Sequence, residues 1–171
     1  MVSWFAMRVT YNREFKAKEF LDKAGLENYL PVRETIRIKS SRKVKERVPV
    51  VRGLIFVHGL LSDIQEIKAR IPYLQYIVDR RSGNKIIVPD RQMDLFISVT
   101  SSCDDKLLYF TGDELNLSKG QHVRIIGGEF DGYEGVFLKV KGASRRCFVV
   151  AIEGVVAVAL ASVSREMIEV I

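Results

Sequence analysis

The last third of the chain packs five strand-like runs into about 50 residues: "HVRII", "GVFLKV", "RCFVVAI", "VVAVAL" and "MIEVI". Runs this short, rich in Val, Ile and Phe and bounded by turn residues, read as strands. The breaks between them include "GGEFDGYEG", "KGASRR" and "EG". The result is a small all-β unit, and closure into a barrel would remove its exposed strand edges. Four glycines fall within residues 127–135. Glycine tolerates positive φ and close backbone approach, so "GGEFDGYEG" fits a tight connection between two antiparallel strands. Phe130 and Tyr133 are expected to fold back over the end of the barrel and bury apolar area there.

The first hundred residues follow a different pattern. "WFAMRVT" (4–10) reads as a strand. Asn12 then serves as a helix cap, with Ala17, Phe20, Leu21 and Ala24 spaced as one apolar stripe and Gly25 as the stop. "ENYLPVRETIRI" (27–38) and "RVPVV" (47–51) read as strands around a basic connection, "KSSRKVKE". "GLIFVHGL" (53–60) reads as a central strand. Ser62 with Gln65 suggests a capping box opening a helix that stops before Pro72. "LQYIVD" and "KIIV" give two more strands, and a third helix opens near Pro89-Asp90 with Met93, Phe96 and Ile97 on one side. The fold class is α+β: an N-terminal mixed or antiparallel sheet with flanking helices, then the small β-barrel. The expected domains are 1–100 and 117–171. The stretch 101–116, where periodicity lapses, is the linker between them.

Charge is uneven. Residues 1–100 hold 19 Lys/Arg against 11 Asp/Glu, a net of +8, whereas 101–171 hold 8 against 10, a net of −2. An anionic partner is therefore expected to meet the first part. No apolar run approaches the roughly 18 residues of a membrane span, and the start has no basic leader region. Cys103 and Cys147 read as reduced, partly buried thiols, and Asp104, Asp105, Asp113 and Glu114 as solvated acids of the linker. His58 and His122 have no Cys or acid at ligand spacing, and there is no nucleophile elbow, zinc set or dinucleotide fingerprint. The sequence points to neither enzyme, metal nor cofactor.

"KGQHVRIIGGEFDGYEGVFLKVKG" (119–142) resembles the KOW motif, with Gly120, Val123, Ile125, Gly128, Phe130, Gly132, Gly135, Val140, Lys141 and Gly142 at its positions. "WFAMRVTYNREFKAKEFL", "VPVVRGLIFVHG" and "IPYLQYIVDRRSGNKIIVPDRQMDLFI" resemble, in order, the segments of the NusG N-terminal domain. Within that family "RVTY", "KAKEFL", "PYLQYIVDR", "IIVPDRQM" and "ELNLSKG" are most similar to the UpxY branch, NusG paralogues tied to capsular polysaccharide operons. The resemblance implies an NGN-type first domain, an SH3-like KOW barrel and an operon-specific elongation and antitermination factor. It also implies binding to the clamp helices of RNA polymerase through Val51, Arg52, Gly53, Leu54 and Phe56. These match the family's "FPGYVFV" strand with less aromatic area, and strand alternation requires some of them to be core. Lys39, Arg42, Lys43, Lys45 and Arg47 are candidates for DNA phosphates, nascent RNA or an acidic partner, with Arg13, Lys16, Arg80 and Arg81 as weaker additions. The KOW barrel, whose loop holds Gly128, Phe130, Gly132, Tyr133 and Gly135, would touch a ribosomal or termination partner. The competing expectation is an RNA-binding or ribosome-associated KOW protein.

Overall fold

In "SWFAMRV" alternate side chains point to opposite faces of a strand, and both sets are apolar. That pattern builds β1 (Ser3–Val9), which is buried along most of its length. The computed structural model describes residues 1–102, 106–111 and 114–171. The expectations for Cys103, Asp104, Asp105 and Asp113 lie outside the described residues. Contacts divide the chain into two units, Met1–Asp90 and Arg91–Ile171.

In the first unit β1 is followed by α1 (Glu14–Lys23), β2 (Glu27–Tyr29), β3 (Val32–Lys39), β4 (Arg42–Pro49) and β5 (Leu54–Gly59). α2 (Leu61–Arg70), β6 (Leu74–Tyr76) and β7 (Ile87–Val88) complete it. β5 lies between β2 and β1, both antiparallel to it, and so is central as its composition implied. β6 and β7 share the far edge of β1, pairing with Met7–Val9 and with Trp4 and Phe5 respectively. α1 and α2 cover one face of this sheet. Ala17 and Leu21 of α1 and Ile64 and Ile67 of α2 bury with Phe5, Met7, Val9, Ile55 and Val57. Fully burying side chains of this size stabilises by about 1.5–3 kcal/mol each before entropy is counted.

Both expected helix caps differ from the structure. Arg13, not Asn12, precedes α1, and it makes no side-chain cap. Asn12 instead joins Tyr11 in a left-handed turn, with φ of 55° and 61°. Leu60, not Ser62, precedes α2, again without a side-chain cap. Ala24, expected in the α1 stripe, is exposed. The basic connection "KSSRKVKE" is not a loop. β3 and β4 pair over eight residues each, from Val32↔Pro49 to Lys39↔Arg42, leaving only Ser40 and Ser41 as the turn. Both turn residues have positive φ, the geometry that matches strand twist in two-residue hairpins.

The second unit opens with α3, which spans Asp90–Thr100 and buries Met93, Phe96 and Val99. β8 (Leu108–Thr111), β9 (Gln121–Ile125), β10 (Glu134–Lys139), β11 (Arg146–Ile152), β12 (Val156–Leu160) and β13 (Ile168–Val170) form one sheet ordered β13-β9-β10-β11-β12-β8. All its pairings are antiparallel. The hydrogen-bonded path therefore ends at β8 and β13, which do not pair with one another among the described strands. β8 lies within the stretch read as a linker, yet it pairs with β12 over four residues. Its run "LYFT" is too short to show a period. Leu138, Val140, Cys147, Val149, Ala157 and Ala159 form a core under Leu108, Phe110 and Leu117. Cys147 is a buried free thiol whose pKa is pushed up by burial. Among the described residues no helix is long and apolar enough to cross a membrane.

Candidate functional site

Three surfaces gather the residues singled out by sequence. The first is the corner where the chain enters β5. Gly53 has φ of +75°, and a Cβ there would lie 2.9 Å from the carbonyl oxygen of Val9. Glycine is required on both counts. Its N–H donates to Oε1 of Glu14 at 3.0 Å, and its carbonyl accepts from Val9 N–H at 2.8 Å. Glu14 is only 4% exposed, so the first turn of α1 supplies a buried acceptor that fixes residues 51–53.

The five residues assigned to a polymerase contact do not form one open surface. Leu54 (3% exposed) and Phe56 (0%) are buried on the sheet face opposite α1 and α2, and Gly53 is buried at the entry to β5 against Glu14 of α1. Val51 is half-buried and only Arg52 is exposed. The residues open to solvent around this corner come from the neighbouring segment. Tyr11 is 82% exposed and Phe15 43%. The Arg13 guanidinium lies 5.9 Å from the centre of the Tyr11 ring and 5.1 Å from that of Tyr73. Thr10 N–H donates to the Tyr73 carbonyl, tying these pieces together. Sequence reading missed Tyr11, Phe15 and Tyr73 because periodicity finds buried faces. The available signal was "YNREF", aromatic residues bracketing a cation at a strand-to-helix turn.

Replacing Glu14 by Ala should leave the Gly53 N–H without its acceptor. The expected cost is about 1–3 kcal/mol, read as a lower denaturation midpoint in urea. Glu14→Gln, whose amide oxygen still accepts, should recover most of it.

The second surface is the β3–β4 ribbon. Lys39, Arg42, Lys43, Lys45 and Arg47 are all exposed, on strands rather than on a loop. Residues directly opposite share a face. The register puts Lys43, Lys45 and Arg47 with Ile38, Ile36 and Glu34 on one face, and Lys39, Arg42, Arg33 and Arg37 on the other. Arg37 pairs with Glu46 at 3.5 Å. Of the weaker candidates, Arg13 belongs to the corner, Lys16 is exposed on α1, and Arg80 and Arg81 lie in the exposed β6–β7 turn.

The third is the β9–β10 connection. Gly127, Gly128 and Gly132 have positive φ. The Gly127 N–H donates to the Asp131 carboxylate at 2.5 Å and Gly132 N–H to the Ile125 carbonyl at 2.8 Å, closing the loop on itself. Phe130 and Tyr133 are half-buried with ring centres 5.6 Å apart, and the Tyr133 hydroxyl meets the Ser98 hydroxyl of α3 at 3.2 Å. Gly135 serves differently: a Cβ there would lie 2.7 Å from the Phe148 ring and from the Val149 carbonyl. Beside the loop, Arg124 bridges Glu134 at 2.8 Å and Glu169 at 3.2 Å, joining β9 to both neighbours. The hydrogen bond from Arg124 holds the Glu134 carboxyl below its ordinary pKa.

His58 stacks on Trp4, with ring centres 4.7 Å apart, and its Nδ1 is 3.6 Å from Glu27. His122 is exposed. Among the described residues no three His, Cys, Asp or Glu side chains are grouped to hold a metal ion.

Among solved structures, the chain is similar to NusG of Thermotoga maritima, in a structure of its domain interaction. The TM-score is 0.49 and the identity 22%, over 100% of this chain and 98% of that one. It is also similar to a chain of the crystallised MjSpt4:Spt5 complex in conformation B, with a TM-score of 0.29 and 18% identity over 100% and 97% of the two chains. No curated protein matches. The family model described as "Transcription termination factor nusG" matches residues 2–97, which is more than half of the 171 residues and takes in every strand and helix of the first unit. The chain therefore belongs to the NusG family of transcription factors.

Proposed function

We propose that this protein is a transcription elongation factor that binds RNA polymerase and suppresses pausing and termination at one or a few operons, in the manner of the UpxY branch it resembles. The family match over residues 2–97 carries the reading. The first unit would grip the polymerase clamp helices through the β5 corner. Val51 and Arg52 contribute there with the exposed Tyr11 and Phe15, while Gly53, Leu54 and Phe56 shape the corner from beneath. The cations of the ribbon would meet DNA. The loop with Gly128, Phe130, Gly132, Tyr133 and Gly135 would serve a ribosomal or termination partner.

The mechanism is a population shift. A factor that binds the closed clamp better than the open one favours the closed state by its difference in affinity. About 3 kcal/mol of difference would change the ratio roughly a hundredfold. The competing reading, an RNA-binding KOW protein, has less support. The second part of the chain holds more acids than bases, and one of its strand cations, Arg124, is already held between two carboxylates.

The test is retention of core RNA polymerase by the tagged chain. Wild type should retain it, and Tyr11→Ser/Phe15→Ser/Arg52→Glu should lose it by about tenfold, or about 1.4 kcal/mol. Equal retention by both would remove the corner from the contact. Transcripts that end at unchanged positions in cells lacking the protein would dispose of the antitermination role.

A further inference from the structure

We infer that the β3–β4 ribbon is a reader of duplex DNA that lies in the major groove of the B-form helix. This deepens the reading above, resting on the ribbon as the nucleic-acid element of a polymerase-bound factor.

Charge is the first ground. Residues 32–49 hold seven Lys/Arg and two Asp/Glu, a net of +5, in a chain whose total is +6. All seven cations are exposed, and Arg37 alone among them has an ion-pair partner within 4.0 Å among the described residues. A concentration of unpaired positive charge on one projecting element complements a polyanion.

The distribution of that charge narrows the partner. Cations lie on both faces of the ribbon, Lys43, Lys45 and Arg47 on one and Arg33, Arg37, Lys39 and Arg42 on the other. Docking flat on an acidic protein surface would use one face. An element between two phosphate walls uses both. The two strands run about 4.8 Å apart. A strip of that kind is admitted by the roughly 12 Å major groove of B-DNA but not by the roughly 6 Å minor groove. The major groove of A-form RNA is too deep and narrow for it. Single strands are usually held by stacking on aromatic rings, and residues 32–49 contain none.

The apolar side chains indicate which face meets the bases. Ile36 is 69% exposed and Ile38 72%, and they stand opposite Lys45 and Lys43. Aliphatic groups suit thymine methyls, and lysines suit the O6 and N7 acceptors of guanine. The face with Ile36 and Ile38 therefore lies on the groove floor, and the Arg-rich face turns its long side chains to the phosphates.

Fluorescence anisotropy of the full chain tests this without polymerase. The probes are a 20-base-pair DNA duplex, the RNA duplex of the same sequence, and the DNA single strand. The DNA duplex should bind at least about tenfold tighter than either alternative. Arg33→Gln/Lys39→Gln/Arg42→Gln, on the phosphate-facing side, should weaken duplex binding about tenfold or more. It should also reduce the slope of log affinity against log salt by about 2–3, as loss of three phosphate-neutralising charges requires. Lys39→Gln alone should reduce it by about 0.9, and Lys119→Gln/Lys141→Gln should leave it unchanged. Ile36→Ser/Ile38→Ser should keep the salt slope while narrowing the preference for DNA duplex over RNA duplex. Equal affinity for the RNA duplex, tighter binding of the single strand, or no effect of the triple change would overturn the inference. A chain that retains polymerase but binds no nucleic acid refutes the groove and spares the polymerase reading, and the reverse result refutes only the latter.

Discussion

Phe56→Ala should destabilise the first unit by about 3–5 kcal/mol. Phe56 is 0% exposed at the middle of the central strand β5, opposite Ala6 of β1 on one side and Tyr29 of β2 on the other. The small partner Ala6 makes room for the ring, so truncation leaves two small side chains facing each other across β1 and β5 and a cavity above them. At roughly 4–8 °C per kcal/mol for a unit of this size, the melting temperature should fall by more than about 12 °C. Urea unfolding followed by circular dichroism measures it, and Phe56→Leu should cost less because more volume is kept. Polymerase retention should fall in step with the folded fraction. Unchanged stability with lost retention would make Phe56 a direct contact instead of core.

The same contrast shows how much could be read in the chain. β1, β5, β11 and β12 were legible because buried strands are written in Val, Ile and Phe, a signal that burial itself imposes. The ribbon was legible only in part. "ENYLPVRETIRI" reads as a strand and holds most of β3, but β4 has both faces in water and is written in cations, so "KSSRKVKE" reads as a loop although cross-strand pairing makes all but Ser40 and Ser41 strand. Capping signals misled at Asn12 and Ser62 because local side-chain chemistry competes with backbone geometry. Tyr11 and Asn12 turn left-handed, and α2 starts one residue before Ser62. At the site, residue types were visible but exposure was not. Leu54 and Phe56 resemble a contact and are buried, while Tyr11 and Phe15 resemble nothing and are open. Glu14 is the instructive case. It lies in the first helix of the matched family segment, and only the fold reveals that it accepts from Gly53 thirty-nine residues away.

Gly135→Ala should cost the second unit about 3 kcal/mol, though it adds a single methyl. Gly135 is the second residue of β10 and pairs with Val123 of β9. An added Cβ would lie 2.7 Å from two atoms of the Phe148 ring and 2.7 Å from the Val149 carbonyl oxygen. Phe148 is fully buried and cannot swing away without displacing its neighbours, and the carbonyl is backbone within β11. Overpacking a filled core commonly costs about 1–3 kcal/mol, and two immovable neighbours place this substitution at the upper end. The strain should separate β10 from β11 first, breaking the Val136↔Val149 and Phe137↔Phe148 pairs. Amide exchange would then show lost protection along β10 and β11 while β1 and β5 of the first unit stay protected. The double change Gly135→Ala/Phe148→Leu, which removes the ring atoms but not the carbonyl, should recover only part of the loss. Full recovery would mean that the ring alone set the need for glycine, and no destabilisation at all would mean that β10 can shift away from β11 at negligible cost.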